Sequence, residues 1–131
     1  MHSRHYTWLL AAAAIVLTSK ENGTLSQTDF FCSGKIHGYI RLPSRQEGKH
    51  SLEGIWTLPT GKVLQHSNNT VDFPPPGRTT AYIWLQFPAR STLSINPAAD
   101  QERLSYNGEW KVDVRWDDKP IIHSTFSVTC Q

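Results

Sequence analysis

The sequence has little charge, and it has none of the basic clustering that nucleic-acid binding requires. Charged residues make up 18% of its 131 residues, and 13 Lys and Arg against 11 Asp and Glu give a formal net charge of +2. The basic residues are scattered along the chain, whereas proteins that bind nucleic acids concentrate them in patches. We therefore expect no nucleic-acid partner.

Catalytic and metal-binding motifs are also absent. His37, His50, His66 and His123 are not spaced as metal ligands, and the only Met, at position 1, gives no support for copper trafficking. No Gly-x-Ser-x-Gly stretch or comparable nucleophile context occurs. We expect neither enzymatic activity nor a cofactor or metal ion.

No apolar run is long enough to cross a membrane as a helix. The longest, residues 8–17, would rise about 15 Å as a helix, against a hydrocarbon core of about 30 Å. It follows a weakly basic start with Arg4 and gives way to Lys20 and Glu21. This pattern is typical of a secretory signal peptide.

The leader determines the expected organisation of the chain. We predict a signal peptide over residues 1–19, a flexible segment over 20–29 and one folded domain over 30–131, which suits the length. An uncleaved amino-terminal anchor is the alternative. Cleavage would leave a secreted, periplasmic or envelope protein with no membrane span.

Only two cysteines are present, Cys32 and Cys130. In an oxidising compartment an isolated pair is most simply a disulfide, and no Cys-x-x-Cys spacing supports a metal site or a redox motif. We predict a Cys32–Cys130 bridge, which would enclose nearly the whole folded domain.

Alternation of apolar and polar residues replaces helical periodicity after residue 20. Ile36 and Ile40 share the parity of Cys32, while His37 and Tyr39 take the other parity. Because successive residues of a strand point to opposite faces, this pattern predicts one buried and one solvent-facing side. We expect a polar loop near residues 44–49 and a proline-rich connection that includes 74–76.

The carboxyl-terminal stretch predicts a hairpin. Trp110 to Trp116 alternate with polar residues, Asp117-Asp118 is typical of a turn rather than of a calcium loop, and Phe126 shares the parity of Cys130. Both sulfurs would then point toward the core. Strands of this kind with short loops predict an all-β protein, an antiparallel immunoglobulin-like β-sandwich of about seven strands.

Two stretches support this fold by resemblance. YNGEWKVDV (106–114), a polar turn and FSV (126–128) resemble the final hairpin of many bacterial immunoglobulin-like domains, and WTLPTGK (56–62) is similar to another segment of such domains. The resemblance covers roughly residues 32–130. It implies architecture and not function, because this fold serves adhesion, carbohydrate binding, inhibition and spacing. Antibody-type domains carry their cysteines on other strands.

Aromatic residues give the one indication of function. TAYIWLQF (80–87) predicts either a strand covered on both faces or an exposed patch of Tyr82 and Trp84. With Trp116, these rings form the candidate binding surface for a protein partner or assembly, because Trp and Tyr supply much of the energy of interfaces. The alternative function is a small carbohydrate-binding module. Core packing is the competing interpretation of each ring.

A third hypothesis concerns the three prolines at 74–76. A pre-ordered loop at 74–76 would suit an inhibitor or a chaperone-like module, since ordering in advance lowers the entropy cost of docking.

Trp56 and Trp110 alternate with polar neighbours, so we expect both in the core.

Overall fold

A computed structural model describes residues 12–88 and 102–130. Within these ranges one sheet of six strands contains β1 (Ala14–Thr18), β2 (Asp29–Phe31), β3 (Lys35–Thr57), β4 (Val63–Gln86), β5 (Gly108–Trp116) and β6 (Lys119–Thr129). One helical turn, 102–104, precedes β5. The prediction of an all-β fold is confirmed.

The strand order is β1-β3-β5-β6-β2, and β4 pairs with β3. The pairs are antiparallel except β2 with β6, which run in parallel. The one parallel pair is a departure from the predicted antiparallel pairing. The count of about seven strands stays a prediction, because residues 89–101 lie outside the described ranges. Because β2 runs beside the last strand in the same direction, Phe31 lies opposite Thr129, and Cys32 and Cys130 follow as neighbours.

The hairpin of β3 and β4 is long and bent. Register shifts between Arg41 and Gly48 interrupt the ladder and divide it into two arms. We call residues 35–41 with 80–86 the proximal arm, and residues 48–57 with 63–73 the distal arm. The sheet curls so that the arms face each other: a Cβ added at Gly54 of the distal arm would lie 3.4 Å from Ile83 Cδ1 of the proximal arm.

This bend corrects two loop predictions. Residues 44–49 lie within β3 and the prolines 74–76 lie within β4, rather than in connections between strands. Proline is tolerated there because the three prolines fall in the interruption of the ladder between Phe73 and Arg78, where the β3–β4 register pairs none of them.

The core is aromatic and aliphatic. Trp56 and Trp110 are fully buried, as predicted, with the Trp110 ring 6.0 Å from Phe126 and 5.5 Å from Phe87 between centroids. The indole Nε1 of Trp110 donates to Tyr106 O at 2.7 Å, so its polar atom is satisfied inside the core.

The predicted Cys32–Cys130 disulfide is present. The two residues are 98 positions apart in sequence and their Cα atoms are 5.2 Å apart. Backbone hydrogen bonds hold both ends in place: Cys32 N–H donates to Thr129 O, and Cys130 N–H donates to Asn107 Oδ1. The bridge therefore joins the segment after β2 to the end of β6.

β1 lies inside the stretch predicted as a leader. Ile15 pairs with Ile40 of β3, and Leu17 is 3% exposed. Gln27 N–H donates to Leu17 O at 2.7 Å, so the segment predicted as flexible is hydrogen-bonded to β1. The sheet thus begins on the amino-terminal side of the predicted domain boundary at residue 30.

The leader itself stays a prediction. Residues 1–11 lie outside the described ranges, and cleavage near Ser19 would remove β1 from the sheet described above. Across residues 12–88 and 102–130, no helix is long and apolar enough to span a membrane.

Candidate functional site

The exposed rings lie on the outward side of the proximal arm. Tyr82 pairs directly with Tyr39, and Trp84 pairs with His37. Because side chains alternate along a strand, Ile83 points inward and is buried, while Tyr82 and Trp84 are 41% and 42% exposed. Of the two predictions for this segment, the structure supports the exposed patch. We call His37, Tyr39, Tyr82 and Trp84 the aromatic face.

Three of these rings are stacked. The Tyr82 centroid lies 5.2 Å from that of Tyr39 and 5.8 Å from that of His37. Hydrogen bonds anchor both phenols: Tyr82 Oη lies 2.6 Å from His37 Nδ1, and Tyr39 Oη accepts the Asn22 N–H at 2.6 Å. Rings held in this way lose little rotamer freedom when a partner binds.

His37 occupies the predicted face of β3 but is not solvent-exposed there. Only 8% of it is accessible, because it stacks on Tyr39 and Tyr82. The sequence pattern placed it on a solvent-facing side, and the packing of its neighbours buries it. His37 therefore supports the rings of the aromatic face.

Trp84 is flanked by a cation and an amide. Lys35 Nζ lies 4.7 Å from the Trp84 ring centroid, a cation–π contact. The side-chain Nε2 of Gln65 donates to the backbone oxygen of Trp84 at 2.8 Å. The ring is thus exposed beside a positive charge, and its carbonyl is already bound by a side chain.

The two strand segments of this surface are uniformly basic. Residues 35–41 and 78–86 contain Lys35, Arg41 and Arg78, and no Asp or Glu. Burial, together with the charges of Tyr39 and Glu21, raises the pKa of Tyr82 above its ordinary value. Its phenol therefore remains protonated at neutral pH, and the two strand segments present cations beside neutral rings, with Glu21 as an acidic neighbour of Tyr82.

A groove of about 390 Å³ extends from the aromatic face toward the bend of the hairpin. Apolar side chains line much of it, among them Leu52, Val71 and Phe73, and Tyr39 and Tyr82 form its border with the aromatic face. Its lining suits apolar side chains of a partner.

Trp116 does not belong to this surface. It is 8% exposed and packs between His50 and Phe73, with ring centroids 4.7 and 6.0 Å away. Its parity on β5 directs it inward, in line with Val114, so the structure corrects its assignment to the candidate binding surface.

The other three histidines in the described ranges pair with carboxylates. His50 contacts Asp117 at 2.7 Å and His123 contacts Asp113 at 2.7 Å. His66 contacts Glu53, whose other oxygen lies 3.2 Å from Arg115 Nε. In the two described ranges, no group of three or more His, Cys, Asp or Glu residues is placed to hold a metal ion.

Sequence reasoning identified two members of the aromatic face and missed two, along with Lys35. His37 and Tyr39 share the predicted solvent-facing parity of β3, and this was the available indication. The sequence did not show the strand register that brings His37 beside Trp84 and Tyr39 beside Tyr82. Bulges interrupt the ladder between the hairpin turn and the proximal arm, so the register cannot be counted from the turn.

Comparisons with known proteins give no family. No protein-family model matches the chain, and no curated protein matches it. Solved structures do resemble it, at low identity. One is a putative beta-galactosidase from Bacteroides fragilis, with 16% identity and a TM-score of 0.44, over 87% of this chain and 16% of that one.

Two others are similar in the same way. A glycosyl hydrolase family 2 member from Bacteroides cellulosilyticus has 12% identity and a TM-score of 0.40, over 90% of this chain and 14% of its own. A beta-glucosidase from Listeria innocua has 11% identity and a TM-score of 0.40, over 88% and 16%. This chain thus spans a small part of each of these proteins, and likeness at this level carries no functional argument.

Proposed function

We propose that this protein is a non-catalytic binding domain that uses the aromatic face to engage a protein partner. The observation that supports this is the exposure of Tyr82 and Trp84, adjacent on one face and each more than two-fifths accessible. Large rings resemble the composition of interface centres, where Trp and Tyr supply much of the binding energy.

The arrangement of the rings favours a protein over a sugar. Carbohydrates stack on open ring faces, but Lys35 lies over the Trp84 ring and Tyr82 leans on Tyr39. The groove beside Tyr82 adds an apolar recess of about 390 Å³, which suits an apolar side chain. A small carbohydrate-binding module remains the second candidate, because both rings keep part of their surface in solvent.

The proposal includes an immunoglobulin-like domain type and a location outside the cytoplasm, as a secreted, periplasmic or envelope protein. The Cys32–Cys130 bridge supports the location, since structural disulfides form and persist in oxidising compartments. The partner is then a protein or assembly of the same compartment.

A comparative capture experiment tests the proposal. Wild-type protein, Tyr82→Ala and Trp84→Ala are used as bait against the envelope and secreted fractions of the producing organism. Val63→Ala is the matched control, since Val63 is 46% exposed on the same strand and lies at the end of the ladder beside the hairpin turn. Loss of an interface aromatic costs about 2 kcal/mol or more, so each ring variant should bind about 30-fold more weakly.

Ring dependence, rather than capture itself, is the result that counts. A protein held equally by wild type and both ring variants would refute binding through the aromatic face. In parallel, Trp fluorescence is titrated with a panel of polysaccharides. A saturable change that Trp84→Ala abolishes, with no ring-dependent protein captured, would support the carbohydrate alternative instead.

A further inference from the structure

We propose that the partner docks as an extended, acidic polypeptide segment that adds a strand to the edge of β4 beside the aromatic face. This rests on the proposed function and specifies the partner. Within residues 12–88 and 102–130, β4 pairs with β3 alone, so in these ranges its other side is an open sheet edge. Open edges are templates for pairing with another extended chain.

The backbone groups at this edge belong to the residues that carry the exposed rings. In an antiparallel ladder, each residue directs both its N–H and its C=O to the same side, and the side alternates along the strand. Phe87 N–H donates to Gly34 O on the β3 side, whereas Trp84 O accepts Gln65 from outside the ladder. The register is unbroken from Thr80 to Gln86, so Tyr82 and Trp84 share the outward direction.

This arrangement couples backbone pairing to side-chain contact. A strand added beside residues 80–86 would hydrogen-bond to Tyr82 and Trp84, and its alternate side chains would lie next to their rings. β-strand addition works in this way, with affinity from the backbone and specificity from alternate side-chain positions. The prolines at 74–76 lack N–H groups, so they limit such pairing at the bend.

Gln65 occupies one of these backbone positions. Its Nε2 donates to Trp84 O at 2.8 Å, as the N–H of an added strand would. The amide satisfies an edge acceptor in the free protein, and an incoming backbone N–H can replace it with no loss of hydrogen bonds. Binding by strand addition therefore requires Gln65 to leave Trp84.

Charge selects the partner. The proximal arm and its continuation to residue 78 carry Lys35, Arg41 and Arg78 without an acidic residue, and these cations outnumber Glu21, the acid that acts on Tyr82. An acidic strand is therefore attracted and a basic strand is repelled. A second copy of this chain, paired edge to edge, would bring the same cations together. We therefore favour a different, acidic partner over self-association.

Hydrogen exchange gives a direct test with a synthetic peptide of alternating Val and Glu. In the free protein the amides of Tyr82 and Trp84 should exchange rapidly. The peptide should slow them about tenfold or more, whereas a peptide of alternating Val and Lys should leave them unchanged. Protection of these amides before any peptide is added, concentration-dependent protection without peptide, or no protection by the Val/Glu peptide would overturn the proposal.

Backbone variants extend the test to the partner captured above. Thr80→Pro removes an edge-directed N–H while sparing the β3 ladder, and Thr80→Val is its matched control. We expect Thr80→Pro to weaken binding about tenfold and Thr80→Val to leave it unchanged, since one direct hydrogen bond and its geometry are lost. Gln65→Ala should tighten binding by about twofold to fivefold, because no side chain has to be displaced.

The outcomes separate this inference from the proposed function. Binding that depends on Tyr82 and Trp84 but is unaffected by Thr80→Pro and Gln65→Ala would retain the aromatic face and refute strand addition. Binding that is independent of both rings would refute the proposed function itself. Circular dichroism and thermal unfolding of each variant confirm that the comparison is between folded proteins.

Discussion

The hydroxyl of Tyr82 lies 2.6 Å from Nδ1 of His37, and this hydrogen bond joins neighbouring strands across the aromatic face. Tyr82 is 41% exposed, whereas His37 is buried, so one residue meets solvent and the other holds it in place. Tyr39 stacks on His37 and packs at a tilt against Tyr82, which extends the support.

The first prediction concerns this bond. Tyr82→Phe keeps the stacked ring and removes the hydroxyl, which leaves His37 Nδ1 without that partner. We expect the free energy of unfolding to fall by about 1 kcal/mol, the usual net value of one hydrogen bond. Urea unfolding measures it, and a double-mutant cycle with His37→Phe should give a coupling energy of similar size. A coupling near zero would contradict a stabilising role for the bond.

A second prediction follows from the His50–Asp117 pair. Asp117 Oδ2 lies 2.7 Å from His50 Nδ1, and Asp117 Oδ1 accepts the Ser51 N–H at 2.9 Å. The hydrogen bond to Asp117 raises the pKa of His50 above 6.5, despite an opposing effect of burial. The hydrogen bonds from His50 and from Ser51 lower the pKa of Asp117 below 3.8.

These directions define a pH window. The raised pKa of His50 contributes stability below the unfolded value of about 6.5, which is lost as pH rises through the folded value. The lowered pKa of Asp117 contributes stability above about 3.9, which is lost as pH falls through its folded value. The pair therefore stabilises the fold most between about pH 4 and 6.5.

Asp117→Asn tests this window, because the amide oxygen can still accept the Ser51 N–H. At pH 5.5 the variant should be less stable than wild type by about 0.5–1 kcal/mol, the scale of a partly exposed ion pair, and the difference should shrink by pH 8. Urea unfolding at the two pH values measures it. An equal difference at both would show that the charge of His50 does not contribute.

A third prediction concerns the turn between β5 and β6. Asp117 and Asp118 have φ of 50° and 65°, in the left-handed region, as both central residues of a type I′ hairpin turn do. Asp118 meets this requirement with a side chain that costs conformational energy. Asp118→Gly should raise the melting temperature by about 2–5 °C, after the extra entropy of glycine in the unfolded chain is deducted.

The matched variant separates strain from side-chain contacts. Asp117→Gly meets the same φ requirement but removes the carboxylate bound by His50 and Ser51. The melting temperature of Asp117→Gly should equal that of wild type or fall below it. Differential scanning calorimetry of both variants measures the melting temperatures, and a lower melting temperature for Asp118→Gly than for wild type would refute the strain argument.

Alternation of apolar and polar residues predicted the features that depend on one strand at a time. The buried positions of Trp56 and Trp110, the turn at Asp117, and the inward direction of Cys32 all follow from parity and turn chemistry. The disulfide followed from these directions and from an isolated pair of cysteines. Such features need no knowledge of which strands are neighbours.

Long-range pairing could not be predicted in the same way. The bend of β3 and β4 depends on bulges, and each bulge shifts the pairing register of the residues beyond it. Counting residue pairs outward from the hairpin turn therefore gives the wrong partners in the proximal arm. The parallel pairing of β2 also leaves no local pattern in three residues. Trp116 was misassigned although it shares the inward parity of Trp110 and Val114; its ring packs against His50 and Phe73, which reach it from β3 and β4.

A fourth prediction concerns the disulfide. Cys32 and Cys130 close a loop with a sequence separation of 98, for which the chain-entropy model gives about 4–5 kcal/mol. Reduction, or the double substitution Cys32→Ser with Cys130→Ser, should lower the free energy of unfolding by about this amount. Urea unfolding with and without reductant measures the loss. A midpoint insensitive to reductant would mean that the unfolded chain gains little freedom when the bridge opens.

The last prediction tests whether the domain needs β1 for its full stability. Leu17 is buried in the core and β1 covers the edge of β3 over residues 37–41, so removal of β1 exposes both an apolar surface and unpaired backbone groups. A variant that begins at residue 20 should therefore be less stable than one that begins at residue 12 by at least about 2 kcal/mol, from the lost burial of Leu17 alone.

A point substitution keeps this test independent of truncation. Leu17→Ala in the longer variant should cost about 2–4 kcal/mol, whereas Leu25→Ala should cost almost nothing, since Leu25 is 82% exposed. If stability depends on β1, cleavage near Ser19 would destabilise the domain, and the intact mass of the protein purified from its host shows whether processing near Ser19 occurs. Equal stability of the two truncations, together with a mass that begins after Ser19, would show that the domain folds without its first strand.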